Sequence, residues 1–235
     1  MFAAISIAIS LILWAVPTQA ACEQISFEDA AFTVCDADPQ TDDIRLFLNG
    51  DDGKPLGTFN NVEEALNKRL SFAMNAGMYH PDRRPVGLYI ENGVELAPIV
   101  LREGPGNFGL LPNGVFCLTD RRALVVESRT FATAGHDCTF ATQSGPMLVI
   151  NGDLHPRFLV DSTSTNIRNG VGIRSDGTMV AAISDTPVTF HQFGRLFRDV
   201  LKTPNALFLD GSISRLYAPS LGRHDLGFPM GPILG

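Results

Sequence analysis

Four short stretches of this 235-residue chain join an apolar run to a polar side chain beside glycine. In Phe72-Ala73-Met74-Asn75-Ala76-Gly77 an amide stands where a strand-like segment turns, and Ala141-Thr142-Gln143-Ser144-Gly145-Pro146 sets an amide and a hydroxyl just before another strand. Arg168-Asn169-Gly170-Val171-Gly172-Ile173 puts a guanidinium at a strand entrance, and Leu207-Phe208-Leu209-Asp210-Gly211-Ser212 puts a carboxylate at the exit of a wholly apolar run. A guanidinium holds an anion through paired hydrogen bonds, and a carboxylate serves as base or nucleophile. Each stretch alone also reads as turn chemistry, because Asn, Asp and Gly dominate turns, and Arg168 alone reads as a surface salt bridge. Together, four strand ends with glycine at hand suit a cleft where backbone approaches a ligand closely.

Other patterns lack the context their chemistry needs. Gly104-Pro105-Gly106-Asn107-Phe108-Gly109 has the dinucleotide spacing, but Pro112-Asn113-Gly114 forbids the helix that would meet a pyrophosphate. The chain has no P-loop, G-x-S-x-G elbow, S-x-x-K or H-E-x-x-H. The five histidines are scattered without ligand spacing, so neither metal nor cofactor is expected. Two further charged residues join the candidates. Arg102 lies beside the glycine-rich loop, and Asp185 falls between a strand and a capped helix.

The elements that must position these residues are mostly strands. Ile25 to Val34 and Ile44 to Leu48 read as strands, and Val86 to Glu91 pairs with Val94 to Leu101 across Asn92-Gly93, a type I′ signature. Val115 to Leu118 with Ala123 to Glu127, and Gly170 to Arg174 with Thr178 to Ser184, give two more hairpins; Met147 to Ile150 runs into Asn151-Gly152. Asn61 with Glu64 reads as a capping box ahead of Val62, Leu66 and Leu70. Thr189 with Gln192 opens a second helix carrying Phe190, Phe193, Phe197 and Leu201. Many strands and about two helices indicate an α+β fold, one domain with a mixed or antiparallel sheet and a few packed helices.

Composition bounds the setting. The apolar run Phe2 to Val16, broken by Pro17 and followed by Thr18-Gln19-Ala20-Ala21, reads as a signal peptide over 1–20, leaving a mature domain of 21–235 and no lasting membrane span. The four cysteines fit an oxidising compartment, with Cys22–Cys35 and Cys117–Cys138 the expected pairs because each closes a short loop. A net charge of −7 argues against nucleic acid as a partner, so an anionic ligand must meet local arginine.

At the four stretches, the chain resembles the phosphodiester glycosidase family, which includes the lysosomal uncovering enzyme and many bacterial exported proteins. The resemblance runs from about Ile44 to the C-terminus and rests on N-A-G-M-Y at Asn75, Q-S-G-P at Gln143, R-N-G-V-G-I at Arg168 and L-D-G-S at Asp210. It implies hydrolysis of a sugar linked through its anomeric oxygen to a phosphodiester, with a small-molecule or glycan substrate, in the periplasm or medium. It assigns site roles to Asn75, Gln143, Ser144, Arg168, Asp210 and Gly211, with Gly77, Gly145 and Ser212 beside them. Asp210 is the expected catalytic carboxylate, Asp185 its reserve, and Arg168 the anion binder with Arg102 as a second. One departure places the chain in a bacterial subgroup: the uncovering enzyme follows its aspartate with glycines and then serines, whereas here Gly211 precedes Ser212-Ile213-Ser214-Arg215. Two other activities use similar residues, a non-catalytic glycan-binding module and a phosphodiesterase that cuts P–O. The first would want exposed aromatic platforms and the second a metal cluster.

Overall fold

A computed structural model describes residues 20–235; the expected signal peptide, 1–20, lies outside them but for its last residue. Three antiparallel sheets make the frame. The largest runs β1 (Ala21–Phe27), β2 (Ala30–Ala37), β13 (Met179–Ser184), β12 (Asn169–Ile173), β14 (Asn205–Asp210), β10 (Met147–Ile150) and β11 (Asp153–Leu154). A second runs β16 (Arg223–His224), β15 (Leu216–Ala218), β4 (Ala73–Asn75), β17 (Ile233–Leu234) and β3 (Leu46–Phe47). The third runs β6 (Val94–Ala97), β5 (Tyr89–Glu91), β9 (Phe140–Ser144), β7 (Gly114–Leu118) and β8 (Ala123–Glu127). With α1 (Phe59–Leu66), α2 (Ser128–Ala134) and α3 (Phe190–Arg195), this is the expected α+β architecture.

Strand alternation divides the largest sheet into two buried faces. Val171, Ile183, Leu207 and Leu209 turn toward the other sheets and join Met74, Phe116 and Leu216 in the main core. Phe32, Val34, Val180, Ala182 and Phe208 turn the other way, under Phe193, Leu196 and Phe197. Those last side chains come from α3 and the π-helical turn Leu196–Val200 that continues it, so the Phe-rich stripe covers the sheet as its spacing requires. Gly170 lets that helix settle: a Cβ there would lie 3.2 Å from the Phe193 ring and 2.8 Å from the Leu207 carbonyl oxygen.

The disulfides are Cys22–Cys35, directly across the β1–β2 pair, and Cys117–Cys138. Asn92 and Gly93 both take positive φ, as the type I′ turn demands. Four local expectations need correction. Ile25 to Val34 is not one strand but a hairpin, turned at Glu28 and Asp29, both at positive φ. No glycine marks that turn, so sequence alone hides it. The first helix starts at Thr58, whose hydroxyl accepts the Asn61 N–H at 3.2 Å, and not at Asn61; the earlier start buries Phe59 beside Val62. It stops at the left-handed Asn67, before Leu70. Finally, α2 was absent from the expected elements, since Phe131 gives it a single large apolar anchor and no stripe. No described helix is long and apolar enough to cross a membrane.

Candidate functional site

The register of the central strands gathers three of the four charged candidates at one end of the largest sheet. Asn169 at the start of β12 lies opposite Ile183 near the end of β13 and opposite Asp210 at the end of β14. Arg168, Asp185 and Asp210 therefore share that end. A bulge makes Leu209 an extra residue, since Gly170 already faces Phe208, and this re-aims Asp210 at the strand terminus.

Asn169 is the hub of this end. Its Oδ1 accepts the Asp210 N–H at 3.0 Å, and its Nδ2 donates to the Asn75 carbonyl at 2.8 Å and to Asn75 Oδ1 at 3.2 Å. Asn75 Oδ1 also accepts the Arg215 N–H at 2.9 Å within the second sheet, so the Asn169–Asn75 bonds tie the end of that sheet to the first. Ser214 adds a hydroxyl bond to the Asp210 carbonyl at 2.8 Å and another to the Ile167 carbonyl at 3.1 Å. These bonds hold the two residues with free chemistry.

Asp210 is one of them. Its Oδ1 accepts the Gly211 and Ser212 N–H groups at 2.6 and 2.9 Å, leaving Oδ2 the less engaged oxygen of a side chain 7% exposed. Burial pushes this carboxyl above its ordinary range, and the N–H groups of Ser212, Gly211 and Ile213 only partly oppose the shift. Asp210 in turn adds to the burial that raises the Tyr79 phenol.

Arg168 is the other, and its state is unusual. Only 1% of it is exposed, and no carboxylate is bonded to it among the described residues. Nε donates to the Val188 carbonyl at 2.8 Å and Nη2 to the Ser164 carbonyl at 3.1 Å, while Nη1 is buried without any partner. The guanidinium carbon lies 3.7 Å from the Phe190 ring centre and 5.6 Å from that of Phe208. Burial lowers the group to about 10, so it stays charged at neutral pH. A charge kept here without a counterion is costly to the fold, and an arriving anion removes that cost.

A phosphodiester glycosidase family model matches residues 68–225, which includes all four strand-end stretches. The chain belongs to that family. A protein of Escherichia coli K12, the uncharacterized YigE, is 36% identical over 189 residues, covering 80% of this chain and 73% of YigE. Two solved structures share the fold. The zebrafish N-acetylglucosamine-1-phosphodiester α-N-acetylglucosaminidase catalytic domain, auto-inhibited by its pro-peptide, matches with a TM-score of 0.63 and 13% identity over 92% of this chain and 81% of that one. A Burkholderia pseudomallei K96243 protein inferred to be exported matches with a TM-score of 0.62 and 12% identity over 87% and 73%.

The remaining family-motif positions hold the frame rather than a free valence. Gln143 spends its whole amide inside the protein: Oε1 accepts from Leu88 N–H at 3.1 Å and Val100 N–H at 2.9 Å, and Nε2 donates to the Val100 carbonyl and to Ser128 Oγ. Ser144 Oγ donates to the Leu209 carbonyl at 2.7 Å, fastening the third sheet next to Asp210. Gly77 takes a φ of 140° where a Cβ would meet Thr142 Oγ1 at 2.9 Å, so glycine alone lets the Asn75 turn close on β9. Gly145 packs on Asn113, and the N–H groups of Gly211 and Ser212 serve the Asp210 carboxylate. Arg102 is exposed in the loop ahead of β7.

Asp185 has a partner of its own. It forms an ion pair with Arg223 and accepts the Thr33 hydroxyl at 3.2 Å, while Arg223 also pairs with Asp225 at 2.8 Å. Asp185, Arg223 and Asp225 line a cleft of about 570 Å³ with Ser184, Ile167 and Ser214. Ser184 Oγ accepts the Arg168 N–H at 2.9 Å, so the cleft touches the main chain of Arg168 through Ser184 and that of Asp210 through Ser214. Sequence reasoning missed Asn169 and Phe190 as site residues. Asn169 stood in the R-N-G motif, one residue from the arginine that drew attention, and Phe190 read as core from its helical spacing.

Proposed function

We propose that this protein hydrolyses the glycosidic bond between a sugar and a phosphodiester-linked group, outside the cytoplasm. The observation that carries the reading is Arg168, a buried guanidinium with Nη1 unpaired, at the same sheet end as a buried carboxyl. In this reading Arg168 receives a phosphate oxygen on Nη1. The Ser164 carbonyl gives up Nη2 so that the anion is gripped by two parallel hydrogen bonds, and the nearly complete burial of Arg168 requires the Ser162-to-Asn166 segment to yield for entry.

Cleavage breaks the bond from the anomeric carbon to oxygen, and the electron pair leaves with the phosphate, which departs as a phosphomonoester still facing the guanidinium. A phosphate is a good leaving group, so the protein's main task is to stabilise the departing charge and the oxocarbenium-like sugar. Asp210, with its basicity increased by burial, takes the proton of the attacking water, or adds to the anomeric carbon to form a glycosyl ester that water then hydrolyses, releasing the sugar and the free carboxylate. Asn75, Asn169, Gln143, Ser144 and Ser214 act as positioning residues. Arg102 and Asp185 have weaker claims, one exposed and the other neutralised by Arg223.

The two disulfides and the apolar N-terminal run support an exported protein with a leader over 1–20, acting in the periplasm. The test is incubation of the purified protein with a panel of sugar-1-phosphodiesters in ¹⁸O water. Label in the released sugar supports glycosidic cleavage. Label in the phosphate would assign a P–O phosphodiesterase, and tight binding without turnover would assign a glycan-binding module.

A further inference from the structure

The stretch of chain that caps the Arg168 guanidinium holds it only slightly. It leaves β11 and returns at Asn166, which exchanges backbone hydrogen bonds with Val188 at 2.9 and 3.2 Å. The Val188 carbonyl also accepts Arg168 Nε at 2.8 Å, so this end is pinned to the arginine's own anchor. The other end is pinned by Phe158. Its half-buried ring stacks on buried His155 at 4.9 Å and on Phe190 at 5.1 Å, with interplanar angles of 25° and 11°. Between these pins, residues 159–165 are exposed except for half-buried Ser162. Among the described residues, their one hydrogen bond outside the stretch is the Ser164 carbonyl accepting Arg168 Nη2 at 3.1 Å. The Ser162 and Ser164 N–H groups bond within the stretch, to the Leu159 carbonyl and to Ser162 Oγ. A segment with one outward bond and no buried residue opens at low cost, and its pins set that cost.

We propose that Phe158 is a positioning residue, the latch of a lid formed by residues 159–165, and that it sets how tightly the site takes its phosphate, a role that rests on the reading of Arg168 as the phosphate binder. With the lid closed, the Ser164 carbonyl supplies Nη2 with an acceptor and Nη1 has none. A phosphate supplies both, and the lid leaves when the Phe158 ring slides off Phe190. Phe190 stays behind, because its ring also meets Phe208 edge-on at 4.7 Å and the guanidinium at 3.7 Å. The arginine therefore keeps its orientation while the lid moves, and the cost of opening is subtracted from the binding of the anion. Weakening the latch should strengthen binding, the reverse of what loss of a substrate contact does.

The experiment compares the wild type with Phe158→Ala, which removes the stacked ring, and Phe158→Tyr, which keeps it. Amide hydrogen exchange of the ligand-free proteins reads the latch. The Ser162 and Ser164 amides should exchange about three- to tenfold faster in Phe158→Ala, with those of β12 and β14 unchanged, and Phe158→Tyr should match the wild type. Calorimetric titration with inorganic phosphate reads the consequence. Its Kd should be about three- to tenfold lower in Phe158→Ala, at the wild-type value in Phe158→Tyr, and lost when Arg168→Met is added to Phe158→Ala. Where Phe158→Ala does not fold, Phe158→Leu, which keeps apolar bulk without the ring, replaces it with the same expected signs. Phosphate binding that is equal or weaker without the ring would overturn the lid, and so would unchanged exchange at Ser162 and Ser164. A gain of affinity in Phe158→Tyr as large as in Phe158→Ala would overturn it too, because the stack is still present. If phosphate binds none of the proteins, the Arg168 reading fails by itself, and the exchange contrast still decides the latch.

Discussion

One end of the largest sheet gathers two guanidiniums and three carboxylates, arranged in opposite ways. Arg223 is clasped by Asp185 and Asp225, and these partners hold its guanidinium above the ordinary range although burial pulls it down. Arg168 and Asp210 have no such partners, and burial alone dominates each: it lowers the arginine and raises the aspartate. The residue types are the same and the elements adjacent. The difference is that one set of charges is closed within the protein, which stabilises the fold, while the other is left open at some cost to it. An open buried charge is what a site for a charged ligand needs, whereas a closed one has no valence left to offer.

Substitutions can break that contrast, and the largest effect is expected at Asp210. Asp210→Asn keeps the shape and the acceptor for the Gly211 and Ser212 N–H groups, yet should lower turnover by about 100-fold or more. Its melting temperature at neutral pH should not fall below that of the wild type. A large loss of stability in thermal unfolding would make Asp210 a structural residue. Next comes Arg168→Met, which should lower kcat/KM by about 100-fold, much of it in KM, while thermal unfolding shows equal or greater stability, because a buried charge without a counterion is removed.

Arg223→Met should behave in the reverse sense. It strands Asp185 and Asp225 beside each other, so chemical denaturation should show a loss of about 2 kcal/mol. The smallest effect is a pH dependence. The folded-state pKa of Asp210 is raised, so protonation favours the fold. The wild type should have its full stability from this residue below the ordinary carboxylate range and lose it as pH rises through the elevated value. The advantage of Asp210→Asn in melting temperature should therefore shrink on acidification and grow toward neutral pH. An advantage that does not change with pH would mean that Asp210 titrates normally.

Much of this arrangement was legible in the sequence, and the parts that were not have physical reasons. The runs ending in Asp210 and beginning at Arg168 could be placed at strand ends because their apolar character is continuous and their glycines punctuate it. Their adjacency could not be read, because it depends on strand register between segments 41 residues apart, and on the bulge at Leu209. Gln143 and Asn75 looked like ligand-binding amides, since sequence reports which groups can hydrogen-bond but not whether the protein has already used them. The Glu28-Asp29 turn lacked the glycine that would have shown it, and Asp185 lacked any sign that Arg223, 38 residues on, would neutralise it.

If the Arg168 guanidinium is held open for a phosphate, binding tests it more directly than turnover. Titration of inorganic phosphate, and of a sugar 1-phosphate, into the wild type, Arg168→Met and Arg223→Met should be followed by calorimetry and ³¹P resonance. Saturable binding is expected in the wild type and in Arg223→Met, with loss in Arg168→Met. Binding that survives removal of Arg168, or that disappears with Arg223 while the protein stays folded, would contradict it.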